Sequence, residues 1–236
     1  MLAARKVTMI YVSKAQLARM IDHTLLKAEA SEADILKLCQ EAKTYRFWSV
    51  CINPFWVPLA SRLLARTGIR VCSVIGFPLG ATTTKVKVME TEEAITNGAR
   101  EVDMVINIGA LKTGDFEAVR GEIVSVVRVA RALGDTTVKV ILETGFLSID
   151  EKIAGCKLAQ EAGADFVKTC TGFGFSKATV SDVTLLRRSI PKTMGVKASG
   201  GIRTYEDAMR MIRAGANRIG TSEGVDIILG VPEISS

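Results

Sequence analysis

The chain has 236 residues, 48% hydrophobic and 24% charged, with 20 Gly and 5 Pro, a balance that excludes a disordered or low-complexity polypeptide and leaves ample apolar material for a core. Its net charge of +6 suits acidic ligands such as phosphates, but Lys and Arg are interleaved with Asp and Glu and only 6% of residues are aromatic, which argues against a nucleic-acid surface. Five cysteines without a C-x-x-C pair, no signal peptide and no apolar run long enough to span a bilayer predict a cytoplasmic protein with no disulfides and no membrane contact.

In chain order, residues 1–20 are expected to form a short helical extension. Beyond them, short β-rich apolar runs alternate with longer amphipathic stretches. Strands are expected at 21–26, 48–52, 70–75, 101–107, 138–143, 165–170, 195–199 and 218–222. Helices are expected at 32–44, 55–66, 84–97, 116–133, 150–162, 179–189, 204–214 and 223–229. Ser31 with Asp34, and Thr204 with Asp207, are helix-start signals. The recurring Gly-Ala in NGAREVDMVI, EAGADFVKTC and RAGANRIGTS marks helix ends turning into the next strand. Strict alternation, with no Pro- or Ser-rich linker, predicts a single-domain α/β chain, a (β/α)8 TIM barrel over 1–236, in preference to an open doubly wound sheet.

Chemistry in such barrels sits at the carboxyl ends of the strands. The polar residues there or in strand interiors are Asp22 and His23, Cys51 and Asn53, Asp103 and Asn107, Lys139 and Glu143, Lys168 and Thr169, Lys197 and Ser199, and Thr221 with Ser222. Lys168 (DFVKTCTGFG) and Lys197 (GVKASGG) lie in apolar strands, where a lone ammonium is costly to bury. Each could pair with a carboxylate; two on adjacent strands should also depress each other's pKa. Bringing a lysine from about 10.4 to 7 takes roughly 4–5 kcal/mol, which burial and a neighbouring cation can supply, and the neutral amine attacks carbonyls.

Asp103, in EVDMVIN, reads either as a partner for a buried lysine or as a proton carrier. The single histidine, His23, excludes a centre with two or three imidazole ligands, and itself reads as a satisfied strand-end residue. Gly-rich turns at 171–174, 199–201 and 220–224 suggest phosphate binding, the last two where barrel enzymes commonly cradle it.

The stretches IDHTLL, VCINP, VIGFPLGATTTKVKVMETEEAITNGAREVDMVIN, VKVILETG, GADFVKTCTGFG, GVKASGGIRT and GANRIGTSEG resemble the 2-deoxyribose-5-phosphate aldolases from about Ile21 to Val225. The resemblance implies a Schiff-base lyase that reversibly cleaves 2-deoxy-D-ribose 5-phosphate to D-glyceraldehyde 3-phosphate and acetaldehyde, with neither metal nor organic cofactor, as a homo-oligomer (dimer or tetramer). It implies Lys168 as the Schiff-base lysine, Lys197 as the lysine that lowers its pKa, and Asp103 as the relay acid. Asp22, Cys51 and Thr169 support the pocket, and Thr171, Gly172, Gly200, Gly201, Gly220 and Ser222 bind phosphate. Two residues depart from the pattern. Cys170 stands where Ser is common, and Glu223 where a second Ser is usual; the Glu223 side chain is expected to turn toward solvent or a basic residue. Another Schiff-base barrel aldolase would share one strand-six lysine, but not the pair.

Overall fold

A strand covered on both faces must be apolar toward the helices, and whatever it turns inward must fit a closed tube. The strands here divide their residues in that way. In the computed structural model, which describes residues 12–175 and 177–232, eight parallel strands close into a barrel in sequence order, β8 pairing back to β1. They are β1 (Ile21–Leu25), β2 (Ser49–Ile52), β3 (Arg70–Ile75), β4 (Glu101–Val105), β5 (Thr137–Ile141), β6 (Phe166–Lys168), β7 (Gly195–Ser199) and β8 (Arg218–Thr221). The main core joins the outward side chains of these strands, such as Val102, Met104, Val138, Val140 and Val196, to the helices packed around them. The inward residues Asp103, Lys139, Lys168 and Lys197 alternate with them and meet across the tube.

The outer ring consists of α1 (Lys14–Ala18), α2 (Glu32–Tyr45), α3 (Val57–Leu63), α4 (Thr84–Thr96), α5 (Ile108–Lys112), α6 (Phe116–Ala132), α7 (Ile149–Glu161), α8 (Val180–Ser189), α9 (Tyr205–Ala214) and α10 (Gly224–Leu229). Ser31 with Asp34 and Thr204 with Asp207 form reciprocal capping boxes, satisfying orphan amides at both helix starts. None of the helices among the described residues is long and apolar enough to cross a membrane.

The differences from the expected elements lie at boundaries. The expected strand 101–107 ends at Val105, because Asn107 caps the extra helix α5 by accepting from the Ala110 amide. The expected strand 165–170 shortens to three residues, since the Thr169 carbonyl accepts from Thr144 in the turn after β5. Helix α3 stops at Leu63 and the chain turns through Arg66 and Gly68, both at positive φ. The last helix opens at Gly224, one residue later than expected. Of the N-terminal extension, α1 follows a Ser13 capping box; residues 1–11 lie outside the described residues.

Candidate active site

The parallel register that sets Lys168 beside Lys197, and Asp103 beside Lys139, points all four side chains into the barrel. Asp103 is their hub. Its Oδ2 accepts from Lys168 Nζ at 2.9 Å and Lys197 Nζ at 2.6 Å, and its Oδ1 from Lys139 Nζ at 2.8 Å. A second carboxylate, Asp22, takes Lys197 at 2.6 Å through Oδ2 and Arg218 through Oδ1. A third, Glu101, takes Lys139 at 2.6 Å and Arg218 at 2.7 Å. All seven groups are buried.

Burial alone pushes the Asp103 carboxyl up, but the ammonium groups of Lys139, Lys168 and Lys197 hold it well below the usual carboxylate range. Asp22 goes the same way, held down against burial by Arg218 and Lys197. Burial lowers the Lys197 amine, yet Asp103 and Asp22 overcome it and raise the amine above its ordinary value. The expectation that Lys168 and Lys197 depress each other therefore fails for Lys197. Two carboxylates at 2.6 Å outweigh a neighbouring ammonium, so Lys197 is a fixed cation.

The cluster opens outward at one point. Lys168, 2% exposed, forms part of the wall of a cavity of about 280 Å³ at the carboxyl ends of the strands. Thr171, Gly172, Gly200, Gly201, Gly220 and Ser222 line that cavity, together with the side chains of Lys27 and Arg203. Its charged lining residues are Lys27, Lys168 and Arg203, with no carboxylate among the described residues. Such a wall suits an anion at one end and an electrophilic carbon at the other. At Gly201 (φ +74) a Cβ would stand 2.6 Å from Lys177 Cδ, so only glycine closes this turn. Gly220 is glycine for want of space, because a Cβ there would stand 2.9 Å from Ser199 Cβ and 3.0 Å from Lys197 Cε.

A family model for the DeoC/LacD aldolases matches residues 17–230. The chain belongs to the DeoC/LacD aldolase family. It is 59% identical over 221 residues to the deoxyribose-phosphate aldolase of Carboxydothermus hydrogenoformans, covering 93% of this chain and 97% of that protein. It is 56% identical over 224 residues to that of Thermococcus kodakarensis, covering 94% and 100%. The solved tetrameric deoxyribose phosphate aldolase from Aeropyrum pernix superposes with a TM-score of 0.86 at 37% identity, covering 92% of this chain and 91% of that one. Aldolases are lyases, and this chain is an enzyme of that class.

Within this aldolase the structure brings Lys168, Lys197 and Asp103 together as expected and gathers all six expected phosphate residues at one cavity. The three residues expected to support the pocket lie behind the cavity wall. Asp22 and Cys51 are fully buried and face the ionic cluster, Cys51 Sγ lying 3.9 Å from Asp103 Oδ2, and neither lines the cavity. Thr169 is stitched to β7, its Oγ1 donating to the Ser199 carbonyl and accepting from the Ser199 amide. Cys170 is buried, with Thr144 Oγ1 3.5 Å from its Sγ. Glu223 turns from the cavity, but toward its neighbour: its Oε1 accepts from the Ser222 hydroxyl at 3.1 Å.

Sequence reasoning noted Lys139 as a polar strand residue without giving it a role, and passed over Glu101, Arg218, Lys27 and Arg203. The Cys51, Cys72 and Asp103 ligand atoms lie within 4.8 Å of one another. An ammonium already occupies that corner, because Lys139 Nζ sits 3.4 Å from Cys72 Sγ and 2.8 Å from Asp103 Oδ1.

Proposed function

We propose that the chain reversibly cleaves 2-deoxy-D-ribose 5-phosphate to D-glyceraldehyde 3-phosphate and acetaldehyde through a Schiff base on Lys168. The observation that carries this reading is the position of Lys168: of the three lysines on Asp103, it alone reaches the cavity wall. The cluster buries four cations against three carboxylates, and the half-exposed Arg70 adds a fifth cation 3.6 Å from Glu101, so the excess positive charge favours loss of a lysine proton. Lys139 and Lys197 each have further carboxylate partners besides Asp103. Lys168 has only the oxygen it shares.

The steps then follow the geometry. The Lys168 amine adds to the C1 carbonyl of the open sugar, the proton that Lys168 gave up returns to the carbinolamine oxygen, and that oxygen leaves as water to give a protonated imine. The C3 hydroxyl loses its proton through water to the Asp103 carboxylate, beside which Lys197 stays a cation. The C2–C3 bond breaks, its electrons passing into the imine to form an enamine and release glyceraldehyde 3-phosphate. Protonation at C2 and hydrolysis return acetaldehyde and free Lys168. Arg203, Lys27, Ser222 and the backbone of Gly172, Gly200 and Gly201 hold the phosphate at the open end. The close relatives' activity supports this substrate. The tetrameric relative supports a homo-oligomer, and five buried free thiols fit the cytoplasm.

The test is borohydride reduction in the presence of substrate, followed by peptide mass spectrometry and by assay under exhaustive chelation. The expected result is a reduced adduct on Lys168 and activity untouched by chelator. An adduct elsewhere, a fully active Lys168→Ala protein, or activity lost to EDTA and restored by zinc would overturn the reading.

A further inference from the structure

His23 is the only histidine of the chain and is 2% exposed. It lies on β1 between α2 and the turn that follows β8. Its Nε2 stands 2.7 Å from Glu41 Oε2; a carboxylate only accepts, so Nε2 carries the proton and Nδ1 is a bare acceptor. Nδ1 is buried and meets no hydrogen-bond partner among the described residues. Gly224 rests against it: a Cβ there would stand 2.9 Å from Nδ1 and 3.2 Å from both Ile21 and Phe47. His23 is also the register partner of Thr221, and Thr221 and Ser222 line the cavity. A phenyl ring or an isobutyl group would fill this space without leaving a buried nitrogen unpaired.

We propose that His23 is a positioning residue for phosphate recognition: it sets how closely the 221–224 turn lies over the cavity, and its protonation tightens that turn. This rests on the reading of that turn as part of the phosphate site. A proton on Nδ1 gives the ring a second donor, and the Thr221 carbonyl favours the protonated form. The charged groups that face the ring are Glu41 from α2, itself 3.8 Å from Lys37, and Glu223 from the turn. Burial outweighs their pull and holds the imidazole below its ordinary value, so the ring is neutral at pH 7 and takes up its second proton only on acidification.

A single histidine gives a single imidazole signal, so the unaltered protein tests the idea by NMR titration between pH 4.5 and 8, with and without saturating inorganic phosphate. If the protonated ring binds phosphate threefold more tightly, reciprocity raises the imidazole midpoint by about half a pH unit. Inhibition of sugar cleavage by phosphate is measured alongside. Phosphate that inhibits competitively but leaves the midpoint in place would overturn this inference while the phosphate site stands. Absence of any phosphate binding would overturn both. In His23→Gln, which can still bond Glu41 but cannot titrate, KM for the phosphate ester relative to that for unphosphorylated deoxyribose should exceed the parent's about threefold below the imidazole midpoint that the titration gives, and lose its step with pH. A fall in melting temperature with parallel pH profiles would mark His23 as merely structural.

Discussion

Lys168 and Lys197 are register partners on adjacent strands and share one carboxylate oxygen, yet their surroundings give them different work. Lys197 has Asp22 as well as Asp103 and no opening to the cavity. Replacing it with Leu leaves two buried carboxylates each short of a cation, a type of loss that costs about 3–5 kcal/mol. Lys197→Leu should therefore melt earlier and lose at least about a hundredfold in kcat, because Asp103, the proton carrier it holds in place, loses its cation. A Lys197→Leu protein with unaltered melting temperature and kcat would contradict this role. Lys168, Lys197 and Asp103 were legible because a charge in a β-rich apolar run is rare. Glu101 and Arg218 were not, since each opens its strand and looks like an ordinary charge at a helix-to-strand turn. Only closure of the barrel brings them within 2.7 Å across 117 residues of sequence.

At the scale of elements, the strands and most helices could be read from periodicity, and the misses are local. Helix α5 was hidden because Asn107 follows an apolar run and resembles a strand end until its side chain is seen to cap. The loop after β3 gave no signal of what holds it. Lys87, on α4, donates to the carbonyls of Gly80 and Val105 and to Glu122 Oε1 on α6, at 2.7–2.8 Å, and so ties that loop to the end of β4. Both side chains are buried; desolvation pushes the Lys87 amine down and the Glu122 carboxyl up. Lys87→Met keeps the apolar stem but strands Glu122. We expect a loss of about 3 kcal/mol, or roughly 6–12 °C in Tm for a chain of this size. Adding Glu122→Gln should recover part of it. A double variant no more stable than Lys87→Met in denaturant unfolding would contradict the pairing.

For the whole molecule, the buried charges set the pH range over which the fold is firm. Asp22, Glu101 and Asp103 have folded pKa values below their unfolded ones, so their stabilisation is complete above about pH 4 and is lost as pH falls through the folded values. Lys139 and Lys197 are shifted upward; their stabilisation is complete below about pH 10.4 and is lost as pH rises through the folded values. The downward-shifted His23 takes up its proton more readily when unfolded, so stability already begins to decline below about pH 6.5. Melting temperature should thus fall steeply below about pH 4 and decline again above about pH 8.5, where the buried Cys39, Cys72 and Cys156, whose thiols burial pushes up, ionise more readily in the unfolded chain. A melting temperature still rising at about pH 9.5 would contradict this ordering.

The three buried carboxylates of the cluster all come from β1 and β4, and its four buried cations all from β5, β6, β7 and β8, with only the half-exposed Arg70 of β3 adding a cation on the carboxylate side. Severed in the exposed turn at Gly134, the chain would yield one half whose barrel-facing groups in the cluster are carboxylates and one whose corresponding groups are cations, neither able to bury its own inner face. Self-pairing of either fragment would set like charges against each other, whereas the cross-pair restores every ion pair. Co-refolded fragments should therefore form a one-to-one complex with recovered aldolase activity, while each alone aggregates or stays unfolded. A stable symmetric dimer of either half, seen by sedimentation, would contradict it. The ion pairs that serve the chemistry would also act as a selectivity code, by which each half of the fold accepts only the other.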